Sequence, residues 1–547
     1  MGSYADDLAS VSISRTTRTP TAAGFGTALI LAYHSLYVDR VRAYGSLAEM
    51  VADGFTPYDP AYLAAQSAFA QAIAPASVKV GRRALAYTQV VDVTPDAPVS
   101  ASVAETYTVK VDGLTAAFTS DATPTLSEVC TGVAAAINAL GDADAIVATA
   151  GSTAGTQTLT GATLDGATGG AAMSTPRFVT FAFSASADWD ATSITLTGLD
   201  GNGASQTETI AVPNGGDATV TSTKRYLQVT SIAIPAQSGT GGTLTVGVRA
   251  PVTAVASGGT KVVCTSAAGE LHSFERVTGN LSLKTQTTNP GVATDLAAVL
   301  AADGDWYGLL LDSQGAAEIA AAAAWVESNK RLFVWNTSDT DSLATGGTAS
   351  IFYTTKAAGY VRSAGIYHPK LNTSDAWAAA AWMGEEFPKE PGASTWAFKS
   401  LAGVSVYDLT TAQRAALEAV HGNHYLSVGG LSLTGPGESA SAEWLDVVRD
   451  LDWLSARLQE ASIGVFASND KVPFTDEGIS LLLTAVRAVL NTAVTAGVLA
   501  SGFTLTAPKA SAVSTSNKQA RHLPSVSFAA TLQGAIHSVA ITGRVSA

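Results

Sequence analysis

The last part of the chain, AIHSVAITGRV at 535–545, alternates between two kinds of residue. Val539 and Ile541 fall on one face, whereas Ser538 and Thr542 fall on the other. A period of two is typical of a half-buried β-strand. Because the stretch stands at a chain end, no hairpin ties it to a following strand. We expect it to pair within its own chain or to add to the edge of a neighbour's sheet.

A shorter version of this pattern stands near the start, where Val11 and Ile13 alternate with Ser12 and Ser14. A chain with a strand-forming segment near each end can link identical copies into a mesh. From the residues alone, pairing of each segment within its own subunit stays open, since most strands pair that way.

The charge of the chain argues against one broad class of partner. The formal net charge is −14 at pH 7, and no run of basic residues occurs. Nucleic-acid binding needs clustered Lys and Arg that contact phosphates. Direct binding of nucleic acid is therefore not expected. The low share of charged residues, 14%, is consistent with β-rich surfaces that are partly hidden in contacts.

The two cysteines, Cys130 and Cys264, are far apart in the sequence. Their spacing predicts neither a disulfide framework nor a metal site. We expect two small core residues in a protein of a reducing compartment. Asp6 and Asp7 stand where a secretory signal peptide has its basic region, so no signal peptide is expected.

The most apolar run of the chain, 479–503, is long enough to suggest a membrane span. However, Arg487, Asn491 and Gly497 lie within it. Charged and polar residues are rare inside membrane spans. The run therefore predicts a buried helix, and no direct membrane contact is expected.

Apolar strands and helices alternate at the front of the chain and again after Pro251. This alternation is typical of an α/β layer. Two apolar strands joined through a helix are expected to lie parallel. We therefore predict an extended arm at 1–22 and an α/β core in two parts, 23–94 and 251–384. The predicted core strands are 27–31, 77–80, 307–311, 331–335 and 364–367.

Pro95 and Pro98 end the first part of this core, and two inserted modules are predicted behind them. The first, 95–174, is a small α+β module with a hairpin that turns at Asp112-Gly113. The second, 175–250, is a β-sandwich, because short strands alternate there with turn clusters. Its predicted strands are 177–183, 193–197, 207–212, 219–223, 228–234 and 243–248.

The remaining residues, 385–547, are predicted to form an α+β domain. Three helices are expected at 411–421, 442–460 and 475–496. A late strand pair, 502–507 with 525–533, leads to the terminal stretch. The fold class is therefore α+β multidomain, with an α/β core that two modules interrupt.

No catalytic constellation is found in the sequence. Neither a G-x-S-x-G elbow nor a phosphate-binding G-x-x-x-x-G-K-[ST] loop occurs. Glu418, His421 and His424 have a helical E-x-x-H-x-x-H spacing that could place three metal ligands near one face. Gly422 interrupts that spacing, and the general-base glutamate of a zinc protease is missing. We expect no enzyme activity, no metal and no cofactor.

Several segments, taken in order, resemble contractile phage tail sheath proteins. The N-terminal ones are VSISRTTRTPTAAGFGTALIL at 11–31 and SVKVGRR at 77–83. The central ones include SLKTQTTNPGVATDLAAVLAADGDWYGLLLDS at 282–313 and AAAAWVESNKRLFVWNTSD at 321–339. The later ones are PGASTWAFKSLAGV at 391–404, EWLDVVRDLDWLSARLQE at 443–460 and LQGAIHSVAITGRV at 532–545. The second inserted module resembles immunoglobulin-like modules of phage virion proteins.

This resemblance implies a function and an architecture. The core would have the subtilisin-like shape of the family, without a catalytic triad, and 385–547 would face the tail tube. Subunits would stack as hexameric rings around the tube, with terminal strands exchanged between neighbours, and would contract to drive the tube through the host envelope for genome delivery. The residues implied in strand exchange are Val11, Ser12, Ile13, Ser14, Ile536, His537, Ser538, Val539, Ala540, Ile541 and Thr542.

The same resemblance implies partners and a location. The partners would be further copies of the chain, the tail tube protein, and the baseplate and tail terminator proteins. The protein would be part of the virion tail and would be assembled in the host cytoplasm.

Three alternatives remain open at this point. The chain could be a tail-surface adhesin whose β modules recognise host glycans. It could be a metallohydrolase that uses Glu418, His421 and His424. It could also be a non-contractile tube protein, although such subunits are usually much smaller β-barrels.

Overall fold

The computed structural model describes residues 24–96, 103–140, 148–150, 157–160, 172–173, 175–184, 193–212, 218–234, 243–249, 251–286, 289–370 and 377–544. These residues fall into two compact units. The larger unit comprises 26–389 and 396–445, and the smaller comprises 24–25, 390–395 and 446–544. The predicted C-terminal domain, 385–547, is therefore divided, because 396–445 belongs with the larger unit.

The strands of the larger unit are numbered along the chain. They are β1 (Ala28–Ala32), β2 (Val41–Tyr44), β3 (Val78–Arg82), β4 (Val90–Pro95), β5 (Thr106–Val111), β6 (Leu114–Thr119), β7 (Ala148–Ala150), β8 (Gln157–Thr160), β9 (Val179–Ser184), β10 (Ser193–Leu199), β11 (Ser205–Ala211), β12 (Ala218–Thr221), β13 (Gln228–Ile234), β14 (Thr243–Val248), β15 (Thr253–Ser257), β16 (Lys261–Thr265), β17 (Phe274–Arg276), β18 (Leu281–Thr285), β19 (Gly308–Leu311), β20 (Leu332–Thr337), β21 (Ser363–Tyr367), β22 (His424–Val428) and β23 (Leu431–Gly435). The smaller unit contains β24 (Thr504–Thr506) and β25 (Ser527–Ala529).

The α-helices are numbered in the same way. They are α1 (Leu47–Ala52), α2 (Pro60–Phe69), α3 (Leu126–Asn138), α4 (Val292–Ala302), α5 (Ala316–Asn329), α6 (Ile351–Ala357), α7 (Ala378–Glu386), α8 (Thr411–Ala419), α9 (Leu445–Ser468), α10 (Asp476–Ala496) and α11 (Thr515–Gln519).

The centre of the larger unit is a six-stranded sheet in the order β2-β3-β1-β19-β20-β21. β1 pairs in parallel with β3 on one side and with β19 on the other, so Leu29 lies opposite both Lys79 and Leu309. All five residues of β1 are buried, as expected for a parallel strand covered on both faces. β19, β20 and β21 are also mutually parallel, which confirms the parallel arrangement predicted from the alternating strands and helices.

Helices pack on this sheet through small and aliphatic side chains. Leu296 and Val299 of α4 and Ile319 and Val326 of α5 share a buried cluster with Leu29 of β1. The Ala-rich composition of α5 lets the helix lie close to the strands. These helices are the ones expected to alternate with the strands after Pro251.

The small α+β module has a four-stranded sheet, β15-β16-β4-β18, and a three-stranded sheet, β17-β5-β6. The predicted hairpin is confirmed, because β5 and β6 pair around Asp112 and Gly113, whose φ angles of 52° and 80° form the turn. The helix of this module, α3, begins after Thr125, whose side chain accepts a hydrogen bond from Glu128 N.

The boundaries predicted for this module were wrong on both sides. β4 lies almost wholly in the first part assigned to the core, 23–94, and β15, β16 and β18 lie in the second part, 251–384, where they form one sheet with β4. Val262 and Leu283 share a core with Val93 and Val133. The module is thus assembled from two separated stretches of chain, which short-range pattern cannot reveal.

The β-sandwich consists of two four-stranded sheets, β11-β10-β13-β8 and β12-β9-β14-β7. All six strands predicted within 175–250 are present. Leu196 and Ile232 from one sheet share a buried cluster with Phe181 and Val246 from the other. β7 and β8 also belong here, although the sequence placed them before the boundary at 174. They are short, and their partners come later in the chain.

The smaller unit is built on the helices α9 and α10 and the two-stranded sheet β24–β25. Its core contains Trp453 and Leu454 of α9 with Leu490 and Ala493 of α10. The expectation that the apolar run at 479–503 is a buried helix was wrong, because only 17% of the most apolar part of α10 is buried in this chain. By length and composition α10 could cross a membrane, but a single helix is weak evidence of a span.

Candidate functional site: the terminal segment and the closed crevice of the core

The central sheet has a topological switch point between β1 and β19. From β1 the chain continues towards β2 and β3, whereas β19, β20 and β21 lie on the other side. In open α/β sheets, ligands bind in the crevice outside the carboxyl ends of the strands at such a point. Tyr33 follows β1 and Asp312 follows β19, and Tyr33 N donates a hydrogen bond of 2.8 Å to Asp312 Oδ2.

Buried side chains fill this position. Arg83, which follows β3, pairs with Asp312 at 3.2 Å and with Glu318 at 2.8 Å. The three side chains are 0%, 1% and 0% exposed. The ring centroid of Tyr87 lies 5.0 Å from the Arg83 guanidinium. The usual ligand crevice of an α/β sheet is therefore closed by an ion-pair cluster.

Burial dominates the electrostatics of the cluster. Burial raises the pKa of the carboxyls of Asp312 and Glu318. The charge of Arg83 acts to lower the pKa of both, but burial outweighs it. For Arg83, burial acts to lower the pKa, but the two carboxylates outweigh it and raise the pKa. Arg83 therefore holds its charge, and the cluster ties three neighbouring strand ends together. The sequence analysis did not identify these residues, although Asp312 directly follows a buried strand.

The residues of the metallohydrolase alternative do not assemble into one site. His424 Nε2 lies 3.0 Å from Glu418 Oε1, whereas His421 Nδ1 lies 3.3 Å from Glu438 Oε2. Burial lowers the pKa of His424, so its contact with Glu418 is mainly a hydrogen bond of a neutral ring. Within the described part of the chain, no group of three or more His, Cys, Asp or Glu side chains could hold a metal ion.

Of the two segments predicted to exchange strands, the structure describes only the C-terminal one. Val11, Ser12, Ile13 and Ser14 lie outside the described residues. The C-terminal segment is described as far as residue 544, and 534–544 form neither a helix nor a strand. Pairing of this segment with a neighbouring subunit stays a prediction.

The chain is held in place just before the C-terminal segment. Ala500 N donates to Thr531 O at 2.8 Å, and Gln533 N donates to Val498 O at 3.1 Å. The Oγ1 of Thr395 is hydrogen-bonded to Nε2 of His537 at 2.8 Å. The smaller unit thus fixes the starting point of the terminal segment.

Apolar side chains of the terminal segment extend into solvent. Ile536, Val539 and Ile541 are 88%, 78% and 87% exposed. Because the described part of this segment forms no strand, these exposed aliphatic side chains make it a candidate interaction segment. Phe528 of β25, 41% exposed, and Phe466 of α9, 58% exposed, add to the apolar surface of the smaller unit.

The smaller unit coincides with a domain of known type. Residues 445–545 match the family model described as "E217 tail sheath protein gp31-like, C-terminal domain". This part of the chain is therefore similar to the C-terminal domain of a tail sheath protein. The resemblance to the contractile tail sheath family, inferred from the sequence, is confirmed by this match.

Other comparisons add similarities of lower strength. A search of curated proteins finds no match. Among solved structures, the chain is similar to one in the "anti-feeding prophage (AFP) baseplate, 6-fold symmetrised", with 14% identity over 47% of this chain and 72% of that chain, and a TM-score of 0.36. The chain is also similar to one in the "AFP helical sheath in contracted state". The identity is 14%, the coverage is 47% of this chain and 74% of that chain, and the TM-score is 0.36.

A third solved structure is the "Extracellular Contractile Injection System, PVC sheath complex in contracted state". The identity is 11%, the coverage is 46% of this chain and 74% of that chain, and the TM-score is 0.36. A TM-score at this level does not establish a shared fold.

Proposed function

We propose that this protein is a structural subunit of a contractile phage tail sheath. The observation that carries the proposal is the match of residues 445–545 to the C-terminal domain of a tail sheath family. The buried cluster of Arg83, Asp312 and Glu318 at the switch point of the central sheet is consistent with it, because these side chains tie strand ends together. The proposed function is mechanical.

In this proposal, copies of the chain stack as hexameric rings around a tail tube. The rings assemble in an extended state, and contraction drives the tube through the host envelope for genome delivery. The smaller unit faces the tube, and the baseplate and tail terminator bind the two ends of the sheath. The energy of contraction comes from new contacts between subunits, each of which moves largely as a rigid body.

The link between subunits is strand addition. The terminal segment leaves the smaller unit after His537 with Val539 and Ile541 exposed. In the described part of the chain the sheet β24–β25 has two strands, and such a sheet is marginally stable unless further strands join it. We infer that Ile536–Thr542 of one subunit completes a sheet in the next, and that Val11–Ser14 takes part in the same link.

Electron microscopy of the purified protein tests this function. The full chain is expected to form hollow, striated tubes, and a variant without residues 535–547 is expected to stay monomeric. Circular dichroism of both proteins checks that the deletion leaves the fold intact. Monomers in both samples, even when purified tail tubes are added as a template, would contradict the proposal.

A further inference from the structure

A cavity of about 310 Å³ lies within the larger unit, where three parts of its chain meet. Tyr58 comes from the segment before α2, and Asp112 comes from the hairpin of the α+β module. Phe178 and Arg225 come from the β-sandwich. Ligand cavities in proteins span about 300–1,000 Å³, so this volume suits a ligand of one ring.

Two arginines at this cavity share one aromatic ring and one carboxylate. The guanidinium carbons of Arg225 and Arg249 lie 5.2 Å and 4.5 Å from the ring centroid of Phe178. Both side chains also pair with the same oxygen of Glu270. Each arginine side chain is 37% exposed, whereas Glu270 is 7% exposed. A guanidinium carries five N–H donors, and one shared carboxylate oxygen uses only part of them.

The charges that line the cavity do not balance. His272 lies 2.7 Å from Asp112 and 3.3 Å from Glu270. Burial acts to lower its pKa, but these carboxylates raise the pKa of His272 to about 9, so the ring is protonated at neutral pH. Among the described residues that line the cavity, Arg177, the two arginines on Phe178 and His272 are four cations, and Asp112 and Glu270 are two carboxylates.

One further acid lies near this lining. Asp59 accepts hydrogen bonds from Thr56, and burial raises the pKa of its carboxyl. It adds at most one negative charge near Arg225. The cavity therefore keeps a positive excess, which favours an anionic ligand.

Rings form much of the remaining wall, which also includes Leu63, Leu271, Thr175 and Ser273. Pro57 and Pro60 stand beside Tyr58, and Pro176 and Pro251 stand on the side of the sandwich. Rigid rings around a few charged groups are typical of sites that bind one small organic molecule. Planar arginine forks match the geometry of a carboxylate.

We propose that this cavity binds an acidic sugar residue. Its carboxylate is held by Arg225 and Arg249, and its ring packs against Tyr58 and the prolines. Inorganic phosphate would satisfy the arginines but would leave the ring walls empty. The site uses no residue of the terminal segment, so the proposal does not rest on strand exchange.

Saturation-transfer NMR titrations of the full chain test the site with glucuronate as the probe. Glucose is the uncharged control. Inorganic phosphate is the control for charge alone, and because it has no carbon-bound proton to observe, its affinity is measured from its displacement of glucuronate. Arg225→Ala and Arg249→Ala each remove one guanidinium group from the cavity. In each variant, Glu270 keeps its contacts with His272 and with the other arginine. Arg414→Ala is the matched control, because Arg414 is an exposed arginine of the same unit outside the cavity.

We expect glucuronate to bind, glucose and phosphate to bind at least about tenfold more weakly, and each cavity variant to lose about tenfold in affinity. The Arg414→Ala variant keeps the affinity of the unmodified chain. Equal affinity for phosphate and glucuronate would mean that the site holds an adventitious ion only, and this result would overturn the proposal. Unchanged affinity in both cavity variants, or no binding at all, would also overturn it, and tube formation would stand unaffected.

Discussion

Thr395 and His537 are joined by a hydrogen bond of 2.8 Å between Oγ1 and Nε2. The contact connects the short segment before residue 396 with the last part of the chain, 142 positions later. Two residues beyond His537, the exposed side chain of Val539 begins the apolar face of the terminal segment. The hydrogen bond therefore sets where the chain leaves the smaller unit.

His537→Ala should loosen this exit. A hydrogen bond contributes about 0.5–1.5 kcal/mol net, so local opening of the segment should become roughly threefold to tenfold more frequent. Hydrogen exchange of residues 533–540 in the monomer measures the change. Ser538→Ala, one position away, serves as the control and should exchange like the unmodified chain. Identical exchange in His537→Ala would show that the contact does not hold the segment.

The double variant Val539→Asp with Ile541→Asp should prevent tube formation. Both side chains are exposed in the single chain, at 78% and 87%, and burying a carboxylate without a partner in a neighbour's sheet is strongly unfavourable. Electron microscopy and sedimentation measure assembly. Ser538→Ala with Thr542→Ala alters the opposite face and should assemble normally. Tubes formed by the aspartate variant would exclude burial of this face between subunits.

Arg83→Met should destabilise the larger unit by about 3–5 kcal/mol, because it leaves two carboxylates buried without their cation. Asp312 and Glu318 have no room to reach water, since their side chains are 1% and 0% exposed. Urea denaturation followed by tryptophan fluorescence measures the loss. Lys261→Met is the comparison, because it removes an ion pair with Asp92 in which the lysine side chain is 40% exposed. The free energy of unfolding should then fall by about 1 kcal/mol or less. Equal losses would show that the buried cluster has no special role.

Stability of the larger unit should fall as the pH rises from about 6.5 to about 9. The folded state raises the pKa of His272 from 6.5 to about 9, mainly through Asp112 and Glu270, which outweigh burial. The stabilisation from this proton is therefore complete below pH 6.5 and is lost as the pH passes 9. The slope reaches at most about 1.4 kcal/mol per pH unit. Arg177, Arg225 and Arg249 line the same cavity as His272.

Urea denaturation at pH 6, 7.5 and 9.5 measures this dependence. His272→Gln should flatten it, whereas His522→Gln, at an exposed position of the smaller unit, should leave it as in the unmodified chain. A slope that His272→Gln does not change would assign the pH dependence to other groups.

Cys130 and Cys264 should resist thiol reagents until the protein unfolds. Both are buried in the core of the α+β module, at 0% and 1% exposure. Burial raises the pKa of both thiols, that of Cys264 to about 12, so little thiolate forms at pH 8. Ellman's reagent should detect no thiol in the folded chain and both in guanidinium chloride. Fast labelling without denaturant would show that this core opens.

Local signals predicted much of this fold from the sequence. Asp112-Gly113 marks a tight hairpin, and Thr125 caps the helix that follows it. The strands of the sandwich appear where short alternating stretches separate turn clusters. Each of these features depends on residues that are close together in the chain, and sequence pattern reports such features well.

The features that the sequence did not predict depend on distant residues. β4 finds its partners in β16 and β18, and Arg83 meets Asp312 only in the folded sheet. The cavity proposed to bind an acidic sugar is likewise lined by residues far apart in the sequence, such as Tyr58, Arg249 and His272. The exposure of α10 was also not predicted, because an apolar composition does not distinguish an exposed helix from a core helix.

The nesting of the sandwich inside the α+β module has a consequence for synthesis of the chain. β4 emerges from the ribosome long before its partner β16, and the whole sandwich is translated in between. Within the sandwich, however, β7 pairs with β14, so its first and last strands become neighbours once it folds. A sandwich that folds first brings Pro95 and Thr253 towards each other and shortens the loop that must close. Folding of the inserted sandwich would then promote folding of the α+β module that contains it.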